Sequence, residues 1–492
     1  MIISYGDWSS SFLEHYFPRL PEDIQNCIYE LSTGNDLLNL YTRFRNAAVH
    51  SSLSSYYSQE ILFIPWGSSS SFSRRMDNNK RMLPIIRNND DVIQFINEFP
   101  KVIPNRLHIH CNNYGFSSMQ DILDMYGDRI YQIKELEITL AGYILLTPNK
   151  FNYLLSFPNL TTLQLYSTRW EKRLVKNSIP INHPTLRKLE FSQFVYGVGN
   201  DNVDYYIDWS GFEFPQNLQE LSLTGIANIS TITIPETTTH LHFNCAKIGD
   251  IVSCKSMLEN VTELSLRWCR LQVIDLDVLP AGLRILDLSY NRIGRIVGNY
   301  KSALPEDLHT LKLNMCTLDD VVLDHINENI GWPSQLTRLE ISSNNFSKID
   351  ILEKLPETLK TLWLSRNHLK WDEGEVLFTF PHLTELCLHR CGICDLQNFQ
   401  FPSSLKNLTL CFNEIENISS YQGWNNLVNL HTLSLCRFSR QNLNGWIVLP
   451  NLRELHLAYT ENDQLNNKFG VSSENYNLQI ITSGCRYCNR NT

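Results

Sequence analysis

The sequence predicts an α/β solenoid of repeats: a curved parallel sheet laid down one short strand at a time, with short convex segments and a small three-helix unit in front. Three features carry that prediction. One apolar pattern returns in the same register along most of the chain. Many copies are led in by proline. Residues 19–40, RLPEDIQNCIYELSTGNDLLNL, obey a different rule.

The pattern is L-x-x-L-x-L-x-x-(N/C)-x-L. Its clearest copies are VTELSLRWCRL (261–271), LRILDLSYNRI (283–293) and LHTLKLNMCTL (308–318). LTRLEISSNNF (336–346), LKTLWLSRNHL (359–369), LTELCLHRCGI (383–393) and LKNLTLCFNEI (405–415) follow. Weaker copies start near Leu160, Leu186, Leu218, Leu430 and Leu452, and degenerate ones surround Leu107, Leu136 and Leu241. Within each copy the x-L-x-L-x core alternates with period two, as a half-buried strand does, and stacked copies pair these strands in parallel.

Asn291, Asn344, Asn367 and Asn413 stand where the chain leaves the strand. An amide there can bond backbone groups that the turn leaves unpaired. Cys269, Cys316 and Cys391 share that slot. Leads such as LPAGL, LPEDL, LPETL, FPHL, FPSSL and LPNL use proline for an extended approach that has no donor to satisfy. Most units are too short for a full convex helix. DDVVLDHINENI (319–330), with Val322, His325 and Ile326 at helical spacing, is the best exception. The copies resemble the leucine-rich-repeat superfamily over roughly residues 100–470. That resemblance implies a fold and no particular function.

The first unit reads as helices. Pro21 suits a first helical position, and Glu22 and Asp23 suit the positive end of the helix dipole. Ile24, Ile28 and Leu31 share one face. STGND is a turn whose Asn35 or Asp36 caps a second helix carrying Leu37, Leu40, Tyr41 and Phe44. A third apolar stretch surrounds Val49, Leu53 and Tyr56. Three such helices make a core too small to stand alone, so the unit docks on its neighbour or lends its apolar face to a partner.

LPEDIQNCIYELSTGNDLLNLYTRFRNAA resembles an F-box. The resemblance implies that Leu20, Pro21, Ile24, Ile28, Leu31 and Leu37 contact a Skp-type adaptor, which joins such proteins to a cullin–RING ubiquitin ligase. After Leu40 the sequence YTRFRNAAVH departs from the family's usual Cys-then-Trp region.

The expected organisation is therefore a polar lead (1–18), an F-box-like helical unit (19–60), a linker and N-terminal cap of the array (61–100), leucine-rich repeats (101–470) and a C-terminal cap or tail (471–492). Within the linker, 66–82 reads as a loop and Asp91–Phe99 as a helix.

Composition sets the limits of function. Of 492 residues, 19% are charged and 43% apolar, which suits a folded chain. A net charge of −9 argues against nucleic acid or an anionic membrane as partner. The 13 cysteines are odd in number and scattered, as free thiols in a reducing compartment are. The N-terminus lacks the basic start and apolar core of a secretory signal, and no run of about 18 apolar residues spans a membrane. The expected location is cytoplasmic or nuclear.

Cys391 with Cys394, and Cys485 with Cys488, could offer four thiolates to zinc. However, Cys391 is committed to the repeat, and about ninety residues separate the pairs. No phosphate-binding glycine loop, His-Glu-x-x-His or Gly-x-Ser-x-Gly occurs. The chain is expected to be non-catalytic and to need no cofactor.

The residues flanking the inward leucines form the expected binding face. Along the later units these are Arg267, Trp268, Tyr290, Trp363, Arg366, His389, Arg390, Phe412, Arg437, His456 and Tyr459. Earlier units offer Glu135, Glu137, Glu190 and Glu220 instead. Arginine forks and aromatic rings suit interface anchors, and the forks match carboxylates and phosphates. One reading is a face for an acidic or phosphorylated segment of a target protein. The other is a solvated face whose arginines pair with nearby acids.

With the F-box resemblance, the first reading implies a substrate-recognition subunit of an SCF-type ubiquitin ligase. Without it, the chain is a binding scaffold whose front helices cap the solenoid.

Overall fold

The computed structural model describes residues 47–64, 85–87, 89–111, 115–140, 147–167, 183–193, 207–226, 229, 232–298, 303–371, 374–415, 418–437, 449–457 and 478–481. The adaptor-contact residues Leu20, Pro21, Ile24, Ile28, Leu31 and Leu37 lie outside them, as do Tyr459 and the Cys485/Cys488 pair. The chain divides into two compact units, Met1–His240 and Leu241–Thr492. Each is a leucine-rich-repeat array on a parallel ladder, the fold that the repeat foretells.

In the first unit Leu107, Leu136, Leu163, Leu189 and Leu221 stand abreast in successive parallel strands, so the degenerate copies pair as the clear ones do. All five are buried. The ladder also starts earlier than the boundary at residue 101 implies. Strand Glu60–Ile64 pairs with Ile85–Arg87 on one side and with Arg106–Cys111 on the other. Two strands of the sheet thus lie in what reads as linker, because EILFI and IIR are short apolar runs without the repeat's leucine spacing.

The third expected helix is Ala47–Tyr57. Its Leu53 and Tyr57 are fully buried, and Tyr57 meets Phe95 and Phe99 edge-on at 4.9 and 5.6 Å. Phe95 lies in helix Asn89–Glu98, the helix expected at Asp91–Phe99, and Phe99 immediately follows it. The apolar side of this third helix is therefore spent on the array and belongs to its core. Helices Gly115–Tyr126 and Pro148–Leu155 also form here, where the copies lie farther apart than the compact pattern allows.

Strands of the first unit run longer. Arg106–Cys111, Glu135–Leu140 and Thr162–Ser167 have six residues each. Cys111, Leu140 and Ser167 are buried, so inward alternation continues for a third step.

In the second unit, from Glu263 onward, the strands of the ladder shrink to three residues, with Leu264, Leu286, Leu311, Leu339, Leu362, Leu386, Leu408, Leu433, Leu455 and Ile480 abreast. The next leucine or isoleucine of each copy, from Leu266 to Leu457, is buried too. Each such side chain contributes about 1.5–3 kcal/mol. The tail supplies the last strand, Gln479–Ile481.

Proline does more than hold an extended lead. The carbonyls of Pro280, Pro305, Pro333, Pro356 and Pro402 accept from the amides of Leu283, Leu308, Leu336, Leu359 and Leu405, so each proline opens a turn that delivers the first leucine. Helix Asp320–His325 forms as expected, but His325 is exposed, and Val322, Leu323 and Ile326 are the buried residues.

The slot residues join one turn to the next. Asn344 Oδ1 accepts from the amides of Cys316 and Leu318 at 2.9 and 3.1 Å, and its Nδ2 donates to Leu313 and Ile341 carbonyls at 2.8 and 3.0 Å. Asn291, Asn367 and Asn413 repeat this set one turn at a time. Cys269, Cys316 and Cys391 keep one of the bonds, the thiol donating to the carbonyl of Phe243, Leu288 or Leu364 in the preceding repeat. Burial pushes the Cys316 and Cys391 thiols up to about 12, which keeps them protonated and unreactive. Among the described residues no helix is long and apolar enough to cross a membrane.

Asn344→Ala strands two buried amides and two carbonyls. It should lower unfolding stability by about 3 kcal/mol, read from the urea midpoint, while Asn345→Ala on the exposed neighbour moves it by less than about 0.5 kcal/mol.

Candidate protein-binding surface

Strict alternation would send the residue after the strand's last outward position into the core. A left-handed backbone prevents it. Cys245, Trp268, Tyr290, Met315, Ser343, Arg366, Arg390, Phe412 and Arg437 all have φ between 52° and 69° and occupy this same position in successive repeats. Gly225 stands there with φ 74° in the first unit. From Trp268 to Phe412 the amides still donate across the ladder, as Arg366 does to His389 and Arg390 to Cys411, so the chain turns while its last rung holds. The side chains of this column end half-buried or exposed.

Sequence reasoning placed these residues on the strands. The structure separates them into two sets. Arg267, Trp363, His389 and His456 belong to the outward strand positions; Trp268, Tyr290, Arg366, Arg390, Phe412 and Arg437 belong to the left-handed column. His389, expected at the surface, is only 2% exposed and lies under the Phe412 ring at 5.0 Å, so it presents no face to a partner.

The strand set is largely satisfied within the chain. Arg267 reaches Asp287 at 3.9 Å and covers the Tyr290 ring at 5.0 Å. Arg338, absent from the expected face, lies 4.8 Å over Trp363 and pairs with Glu340 at 2.7 Å, while Trp363 Nε1 donates to Glu385 at 3.2 Å.

The acids of the first unit are likewise paired. Arg106 bridges Glu135 and Glu60, Lys188 pairs with Glu220, and Gln164 donates to Glu190 at 2.7 Å. His108 is buried between Glu60 and Glu137, its Nδ1 2.9 Å from Glu137 Oε2. Burial opposes the imidazolium, but the hydrogen bonds and charges of Glu137 and Glu60 outweigh it and raise the His108 pKa above its usual 6.5.

The column differs. Trp268 and Tyr290 stack with ring centroids 4.3 Å apart. Arg390 and Arg437 lie 5.7 and 5.3 Å from the centre of the Phe412 ring. Among the described residues no carboxylate lies within ion-pair distance of Arg366, Arg390 or Arg437. Arg366 Nε is shielded from solvent and has no acceptor. Burial, and then the neighbouring Arg390, hold the Arg366 pKa below its usual range. A non-glycine residue in this conformation costs roughly 1 kcal/mol, so the column gathers strained, cationic and aromatic side chains where glycine would be unstrained.

No family model and no curated protein matches the sequence. Among solved structures, an internalin (inlF) from Listeria monocytogenes is 15% identical, covers 63% of this chain and 82% of its own, and has a TM-score of 0.35. YopM from Yersinia enterocolitica is 18% identical, covers 73% of this chain and 70% of its own, and also has a TM-score of 0.35. The assignment to leucine-rich repeats rests on this chain's own register and turns.

Two outcomes follow. Arg390→Gly should raise the urea midpoint by the equivalent of about 0.5–1 kcal/mol, and Arg390→Val should lower it by at least as much. Stability of the first unit should fall as pH rises above 6.5 through the raised His108 pKa, because the folded state holds that proton more tightly than the unfolded one. His108→Gln should flatten that slope in urea titrations followed by hydrogen exchange of the first unit's strands.

Proposed function

We propose that this protein is a non-catalytic substrate receptor of an SCF-type cullin–RING ubiquitin ligase, cytoplasmic or nuclear, that holds a target protein on its second repeat unit. The observation that carries the target-binding part is the left-handed column from Trp268 to Arg437. There non-glycine side chains occupy a left-handed backbone, and three of them are cations without a counter-ion among the described residues. Surfaces with aromatic and arginine anchors are where protein partners gain most affinity. The contribution to catalysis is positional: target and ubiquitin-charged enzyme are held together at raised local concentration.

The ligase part rests on the F-box-like motif, with Leu20, Pro21, Ile24, Ile28, Leu31 and Leu37 as contacts to a Skp-type adaptor. The buried face of helix Ala47–Tyr57 narrows it, since adaptor contacts must then come from residues ahead of that helix. The same docking favours the second reading, a binding scaffold whose front helices cap the array.

Calorimetry of the full chain with a Skp-type adaptor separates the two. The receptor reading expects binding that weakens at least about tenfold, or 1.4 kcal/mol, in Leu20→Asp and Ile28→Asp. No binding by the unaltered chain leaves the scaffold. On the target side, the Arg366→Glu/Arg390→Glu double variant should lose co-purifying partners, and an unchanged partner list would remove this surface.

A further inference from the structure

Resting on the target-binding reading above, the geometry points to Arg366, Arg390 and Arg437 as a phosphoryl-recognition ladder that takes a phosphorylated peptide segment in preference to a carboxylate-bearing one.

Spacing is the first reason. Arg366 and Arg390 occupy the same position in neighbouring repeats, and their strands pair directly at Leu362 and Leu386. Neighbouring strands lie about 4.8 Å apart, which one tetrahedral phosphoryl group can bridge. Arg437 follows two repeats beyond Arg390, with Phe412 between them. The ring holds both guanidiniums against one apolar surface and limits the freedom they lose on binding.

Charge is the second reason. Two adjacent guanidiniums offer ten N–H donors and two positive charges. A carboxylate, with one negative charge and about four lone-pair positions, leaves one cation uncompensated. A phosphoryl group near pH 7 carries about −1.5 to −2 and three acceptor oxygens, which matches the pair. Among the described residues no carboxylate reaches these arginines, and Arg366 Nε has no acceptor. A shielded donor without a partner is unfavourable, so a small turn of the Arg366 side chain towards a bound oxygen is favoured.

The third reason is the backbone. Arginine at φ 55°, 52° and 69° holds a backbone that glycine would adopt without strain. Nucleic acid offers phosphates as well, but the net charge of −9 opposes a long polyanion far more than one short phosphopeptide.

The test uses the full chain and three immobilised peptide pools with random flanks around a fixed phosphoserine, glutamate or serine, with inorganic phosphate as competitor. The proposal expects the phosphoserine pool to be retained about tenfold better than the glutamate pool at pH 7.5. That advantage should shrink towards pH 5 as the phosphate takes up its second proton near pH 6. Arg366→Lys and Arg390→Lys keep the charge but lose the fork, and each should cost about tenfold. Arg366→Gly should abolish retention while leaving the fold intact or more stable, which keeps misfolding out of the result.

Equal retention of the phosphoserine and glutamate pools would overturn the proposal. So would unchanged binding in the lysine variants, or retention of a single-stranded oligonucleotide as strong as that of the phosphopeptides. If Arg366→Glu/Arg390→Glu removes cellular partners that phosphatase treatment leaves in place, the phosphoryl assignment falls and the target-binding reading stands.

Discussion

The asparagine ladder is the interaction on which the rest of the second unit depends. A chain leaving a parallel strand carries amides and carbonyls into a dry interior, where an unmet group is costly. Each slot amide meets both kinds. Its oxygen takes two amides of the repeat before, and its NH2 serves one carbonyl there and one in its own turn. Three of the four bonds cross between repeats, so the same side chain that closes a turn also sets the stacking. Cysteine retains only a donor, and the asparagine of the next repeat takes its backbone amide. Asn291 accepts from Cys269, Asn344 from Cys316 and Asn413 from Cys391.

The ladder has a consequence for the surface. To bring the slot residue inward, the residue before it must break the strand's alternation, and it does so in the left-handed region. The fold therefore offers a row of outward side chains at a fixed step, one per repeat, along the margin of the strands. Elsewhere the acids and bases of the strand faces neutralise one another, as Glu60, His108 and Glu137 do. In this row Arg366, Arg390 and Arg437 lack such partners among the described residues. Three cations without a described counter-ion thus stand at a position of the repeat where the backbone turns left-handed.

Much of the fold was legible. Two leucines two residues apart, followed three residues later by Asn or Cys, named the strand, its buried face and its turn, because those residues answer requirements local to one repeat. The candidate surface was half legible: residue types were right and geometry was not. Nothing in RWC, SYN, SRN or HRC announces a positive φ, since the usual signal is glycine and only Gly225 supplies it. His389 read as exposed because its neighbours are, whereas the adjacent repeat's Phe412 covers it. The early strands Glu60–Ile64 and Ile85–Arg87 were missed because three to five apolar residues carry no period of their own.

The sequence by itself determined the repeat, the inward leucines and the slot that ties one turn to the next, since each follows from hydrophobic period and hydrogen-bond valence within about twenty-five residues. Only the tertiary structure decided which charges cancel, which arginines remain without a counter-ion and which apolar helix face is already covered. Those outcomes turn on side chains tens of residues apart, such as Tyr57 meeting Phe95 or Lys188 meeting Glu220, and no local pattern encodes such a meeting.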